Sequence, residues 1–173
     1  MELLFAAVRR LIAQGLTQRV TKDVEVAALM DSKRRLVSPA PLPSSLLKAA
    51  KEVARDMGLP DNWLNKGPSH DEGGLFQLGL PEGMADRLHE RVYGPRLTVF
   101  FVGRFDQIHF KLYAAADRRD GTHLDDLLLL EPAAAELEAA ACWAMTHDVS
   151  PGFKTILKDM LRQIGHEPVA GRI

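Results

Sequence analysis

The sequence predicts an α+β fold: a small mixed β-sheet packed with helices in its first part, and a helical C-terminal half. Three observations carry that expectation. From Arg19 to Leu29 apolar and polar residues alternate with a period of two. Leu97 to Val102, Leu-Thr-Val-Phe-Phe-Val, is the most hydrophobic β-branched and aromatic run in the chain and lies between Pro95 and Gly103. Beyond residue 105, apolar residues recur at helical spacing through three or four segments.

The elements follow in order. Leu3, Leu4, Ala7, Val8, Leu11 and Ile12 predict a helix over 3–14, ended by Gly15. The alternating stretch predicts a strand with Asp23 and Glu25 on one face, then a basic turn at Lys33 to Arg35 and a short paired strand at Leu36-Val37. Pro39, Pro41 and Pro43 each fix φ and push the preceding residue out of the helical region, so the connection there is extended. Ser44 or Ser45 can cap a helix over 46–57, which Gly58 and Pro60 stop. Residues 61–80, rich in Gly, Pro, Asn and Asp, read as a long surface loop pinned to the core by Trp63 and Leu64. Pro81 to Val92 reads as a short helix closed by Gly94, and 97–102 as a buried central strand. Helices are expected at about 106–117, 122–130, 133–147 and 151–164, with Asp106, Thr122, Pro132 and Pro151 at their starts and Gly165 after the last.

A chain of 173 residues with 46% hydrophobic residues can bury a single large core, so one domain over 1–173 is expected, with a sheet-containing part at 1–104 and a helical part at 105–173. Its 22 Lys and Arg against 23 Asp and Glu, and a pI near 6.6, exclude the overall basic footprint of a polyanion-binding domain. Cys142 is the only cysteine, and its neighbours Ala140, Ala141 and Trp143 suggest a buried helical thiol. No run approaches the roughly 18 apolar residues of a membrane span. Glu2, with Arg9 and Arg10 after a short apolar stretch, is the wrong order for a signal peptide, so a cytoplasmic protein with no membrane partner is expected.

The chemistry is concentrated in two places. In Thr21-Lys22-Asp23-Val24-Glu25-Val26, carboxylates at i and i+2 of one strand point the same way, about 7 Å apart along the chain. That spacing lets both reach a hard divalent cation such as Mg²⁺, as a phosphoryl- or nucleotidyl-transfer site requires. The solvent face of an amphipathic strand would look the same. The second place runs from Lys111 to Asp126. Lys111 sits between Phe110 and Leu112, where a charged group is expensive unless paired or used. It can bind a phosphate as a point charge, helped by Arg118, or snorkel to water or to Asp126. His123, beside Asp125 and Asp126, reads as a local charge pair, or as a base or a ligand. Asp106 reads as a further carboxylate or as a helix N-cap. No zinc-type His spacing, P-loop, GxSxG or GxGxxG is present.

Thr21-Lys22-Asp23-Val24-Glu25-Val26, followed by Lys111-Leu112-Tyr113-Ala114-Ala115 and His123-Leu124-Asp125-Asp126-Leu127, resembles the minimal nucleotidyltransferase-like proteins related to the AbiEii toxins of bacterial abortive-infection systems. The resemblance runs from Leu3 to about residue 165. It implies a mixed sheet flanked by helices and transfer of a nucleoside monophosphate from an NTP, with Mg²⁺ held by strand carboxylates. By position it assigns Asp23 and Glu25 to the metal and to catalysis, Lys111 to the triphosphate and to catalysis, and Thr21, Lys22, Arg118 and Asp126 to the substrate. Glu25 stands where relatives carry a second aspartate, and His123 where they carry an acidic residue. No glycine pair precedes the carboxylate strand, so the segment that would bring bare N–H groups to the phosphates is absent or rewritten. Two functions therefore follow: an Mg²⁺-dependent nucleotidyltransferase acting on a nucleic-acid or protein acceptor, or a catalytically degenerate relative that binds a nucleotide or a protein. A sheet edge left open by that segment suits a homodimer.

Overall fold

The computed structural model describes residues 23–69, 74–119 and 121–173. The expected helix over 3–14, Gly15 and the first part of the alternating stretch, Thr21 and Lys22 included, lie outside them. The described residues are α+β and fall into two compact units, one ending at Leu80 and one running from Pro81 to Ile173. A β-hairpin groups with the C-terminal helices in the second unit. Among the described residues, three separate two-stranded sheets, one parallel and two antiparallel, stand in place of one mixed sheet.

In the first unit, β1 (Val24–Glu25), β2 (Leu29–Met30), β3 (Leu36–Val37), α1 (Ser44–Met57), β4 (Leu64–Asn65) and α2 (Leu75–Leu78) follow in order. β1 pairs in parallel with β4, Val24 opposite Leu64 and Glu25 opposite Asn65, and the Val26 N–H extends the ladder to the Asn65 carbonyl at 2.8 Å. The single strand expected through Leu29 breaks there. The Ser69 hydroxyl donates to the Ala27 carbonyl at 2.8 Å, so a side chain replaces the next strand partner. The chain then enters the β2–β3 hairpin, which bears out the paired strand at Leu36-Val37. Asp31 closes its basic turn: Oδ1 accepts the N–H groups of Lys33 and Arg35, both at 2.9 Å, while Arg34 takes a φ of 57°.

α1 begins at Ser44 with Pro43 as its N-cap, so neither serine caps it, and Gly58 ends it at a φ of 63°. Ala50 and Ala54 are small enough to leave room for Trp63, which is buried and donates its indole N–H to the Ala50 carbonyl at 2.9 Å. That anchor makes the following residues a strand. Residues 61–80 are accordingly no bare loop but hold β4, a 3-10 turn at Gly67–Ser69 and α2.

In the second unit a 3-10 turn at Met84–Arg87 leads into β5 (His89–Val92), where a helix was expected. Gly94, at a φ of 71°, and Pro95 reverse the chain, and β5 pairs antiparallel with β6 (Thr98–Phe101), His89 opposite Phe101 and Val92 opposite Thr98. Cross-strand pairing with the apolar run decides the conformation of 89–92. β6 is not a buried central strand: it has one partner, Thr98 is exposed and Val99 to Phe101 are half-buried.

Five helices complete the unit: α3 (Arg104–Arg118), α4 (Gly121–Leu129), α5 (Ala134–His147), α6 (Pro151–Gln163) and α7 (Glu167–Arg172). The first four match expectation within a few residues. α7 is additional, separated by Gly165 at a φ of 84°. Ile108 and Leu112 of α3, Leu127 of α4, Leu137 of α5, and Leu157 and Leu161 of α6 are fully buried in one core. Each contributes roughly 1.5–3 kcal/mol by leaving water. On α5 the buried stripe is Leu137, Ala140, Ala141 and Ala144, at i, i+3, i+4 and i+7. Cys142 falls off that stripe and is exposed, which corrects the expected buried thiol. Asp106 is no N-cap either: Gly103 takes that position, and Asp106 is fully buried against Arg87. Among the described residues no helix is long and apolar enough to cross a membrane.

Candidate functional site

Asp23 immediately precedes β1 and Glu25 ends it; both are exposed, while Val24 between them packs toward Ala50, Ala54 and Trp63. Strand alternation therefore turns the two carboxylates outward together, as the spacing predicts. The neighbouring strand supplies Asn65. Its Nδ2 donates to Asp23 Oδ2 at 3.2 Å and to the Asn62 carbonyl at 3.2 Å, and its Oδ1 accepts the Gly67 N–H at 2.7 Å. A Cβ at Gly67 would stand 2.7 Å from Asn65 Oδ1 and 3.1 Å from Glu25 Oε1. Asp23, Asn65, Gly67 and Glu25 thus form one continuous row of oxygen donors and bare backbone. The glycine leaves space beside Glu25 that any side chain would fill.

Asn65 and Gly67 were not singled out from the sequence, because they fall in a Gly- and Asn-rich stretch that reads as loop. Only the register of Glu25 against Asn65 brings them to the carboxylates. The signal available in the sequence was Trp63, whose anchoring fixes the two residues after it as a strand.

The donor set suits a hard divalent cation. Asp23 and Glu25 would hold Mg²⁺, which takes one or two protein carboxylates and keeps several waters. Among the described residues no group of three or more His, Cys, Asp and Glu gathers to hold a metal ion.

The remaining expected residues lie in the second unit. Lys111 of α3 is half-buried, and its Nζ donates to Asp126 Oδ2 of α4 at 2.7 Å. The lysine on an apolar helix is therefore held by the carboxylate that the sequence offered as its bland partner. Arg118, near the end of α3, places Nη1 3.5 Å from His123 Nε2 of α4. The structure brings together Lys111 with Asp126 and Arg118 with His123, while Asp23 and Glu25 are both exposed on either side of Val24. Thr21 and Lys22 are outside the described residues. No family model matches the chain, and neither a curated protein nor a solved structure does.

Proposed function

We propose that the chain binds a divalent cation together with the phosphates of a nucleotide through Asp23 and Glu25, in the manner of a nucleotidyltransferase-like protein. The observation that carries this reading is the row Asp23–Asn65–Gly67–Glu25, in which one carboxylate is oriented by an amide and the other borders space kept open by a glycine. When bound, Mg²⁺ would offset phosphate charge and polarise the α-phosphate of an NTP. Asn65 keeps Asp23 turned toward the row, and the Gly67 N–H is held by Asn65.

Lys111 favours the degenerate form of this function over transfer. Its ammonium already has a carboxylate partner at 2.7 Å, so using it on a triphosphate requires breaking that pair. We therefore place nucleotide binding first, and transfer of a nucleoside monophosphate to a nucleic-acid or protein acceptor second.

Calorimetry with Mg²⁺ alone and with each Mg²⁺·NTP tests binding: the Asp23→Ala, Glu25→Ala double variant should lose it at least tenfold. Binding that the double variant keeps unchanged would remove the assignment. Incubation with labelled NTPs and either total tRNA or protein separates the two forms, since label on an acceptor would restore transfer to first place.

A further inference from the structure

His109 lies on the buried side of α3, 3% exposed. Its Nδ1 is 2.8 Å from the Phe105 carbonyl oxygen, which can only accept, so Nδ1 carries the proton of the neutral ring. The ring stands against Phe105, centroids 4.5 Å apart, and against Trp143 of α5 at 5.7 Å.

Three charged groups act on it through space, none of them bonded to its ring. Asp106 precedes it by three residues on α3 and is fully buried. Arg87, from the 84–87 turn, holds both oxygens of Asp106 at 2.6 and 3.1 Å, and its guanidinium carbon lies 4.9 Å from the Phe105 ring centre. Glu136 of α5 is taken by Arg104 at 3.1 Å and by the Ala133 N–H at 2.8 Å. Both carboxylates near His109 are therefore already engaged. A proton on its ring introduces a second cation beside Arg87, with Asp106 as the acceptor the two would share.

We propose that His109 and Arg87 compete for Asp106, so that the clasp joining the 84–87 turn to α3 is a proton-sensitive latch, closed while His109 is neutral and loosened when it is protonated. Burial, the largest influence, pushes His109 below its ordinary pKa; Asp106 and Glu136 pull it up and Arg87 pushes it further down. In the open form the ring regains its ordinary pKa of about 6.5. As pH falls below that value the open form binds the proton more readily than the closed one, so the opening equilibrium rises by up to about tenfold per pH unit until the closed form titrates as well.

Hydrogen exchange of the intact protein, corrected for the intrinsic pH dependence, provides the test. Protection of the amides of Met84 and Asp86, which donate to Pro81 and Gly83, should fall about fivefold between roughly pH 6.5 and 5.5. The His109→Gln variant should show no such fall. Equal protection at both pH values in the unmodified protein, or the same fall in the variant, would overturn the latch. A ring titration by NMR gives a second readout: Arg87→Met frees Asp106 and should raise the apparent pKa of His109 by about one unit or more. An unchanged titration would also overturn it.

Discussion

The ammonium of Lys111 meets the Asp126 carboxylate at 2.7 Å, and this contact ties α3 to α4 beside their shared apolar packing. The lysine side chain is about a third exposed and the aspartate about a fifth, so water screens the pair. Replacing Lys111 with Met should lower stability by only about 1 kcal/mol, because the stem's packing is kept and a half-exposed pair contributes little. It should leave Mg²⁺·NTP affinity unchanged. Denaturant titration measures the first quantity and calorimetry the second; a tenfold loss of affinity would move Lys111 onto the phosphates.

Gly67→Ala probes the row of oxygen donors. The new methyl would stand 2.7 Å from Asn65 Oδ1 and 3.1 Å from Glu25 Oε1, so both side chains must give way. Those are side-chain tips near the surface, and the shift in melting temperature should be no more than a few degrees. Divalent-cation affinity, read by calorimetry, should drop several-fold. Unchanged affinity would separate the cation from Glu25.

The Arg87–Asp106 pair should be far more costly to break than the Lys111–Asp126 pair. Asp106 is fully buried, and Arg87→Ala leaves its carboxylate without the guanidinium. The expected loss is about 3 kcal/mol, at the lower end for a buried pair because the Arg87 side chain is about a third exposed. Adding Asp106→Leu should recover much of it, since a packed apolar side chain needs no partner. Chemical unfolding of the two single variants and the double variant closes the cycle.

Acid stability should depend on Glu136. Its bonds to Arg104, the larger effect, and to the Ala133 N–H hold its carboxyl below the ordinary range despite partial burial. The unfolded chain therefore takes up this proton first as pH falls. The contribution is fully present above the unfolded value of about 4.3 and is lost as pH falls through the lower folded value. Glu136→Gln should be less stable at neutral pH, and the difference from the parent should shrink below about pH 4. A constant difference from about pH 7 to 3 would contradict the depressed value.

The helices were legible because their signals are local. The 3.6-residue spacing over 106–117, 133–147 and 151–164 and the glycines at 58 and 165 fix segments almost independently of the rest of the chain. The β2–β3 turn was legible for the same reason, through Lys33 to Arg35 and the apolar pair Leu36-Val37 that follows, whereas the role of Asp31 in closing it was not. Failures concern pairings decided at a distance. Residues 89–92 become a strand because 98–101 lie opposite them, and 64–65 become one because Trp63 seats on α1. Cys142 was misplaced by its neighbours in sequence, whereas burial on α5 follows the positions three and four residues apart. Of the candidate site, the outward pairing of Asp23 with Glu25 and the link from Lys111 to Asp126 were visible as patterns. Asn65 and Gly67 were not, since they become neighbours of the carboxylates only through the parallel register of β1 with β4.

Arg104 sits at a corner of the second unit. Its guanidinium takes the Leu130 and Glu131 carbonyls at 2.9 and 2.8 Å, just past α4, and also the Glu136 carboxylate in the first turn of α5. One side chain from α3 thus satisfies the backbone where α4 ends and fixes the carboxylate where α5 starts. The α4–α5 connection is consequently a brace, although it has the length of an ordinary surface loop. A protease needs a stretch of locally unfolded chain, and here Arg104 makes that opening costly. Digestion under native conditions should therefore spare residues 130–133, and an Arg104→Ala substitution should turn the same corner into a cleavage site.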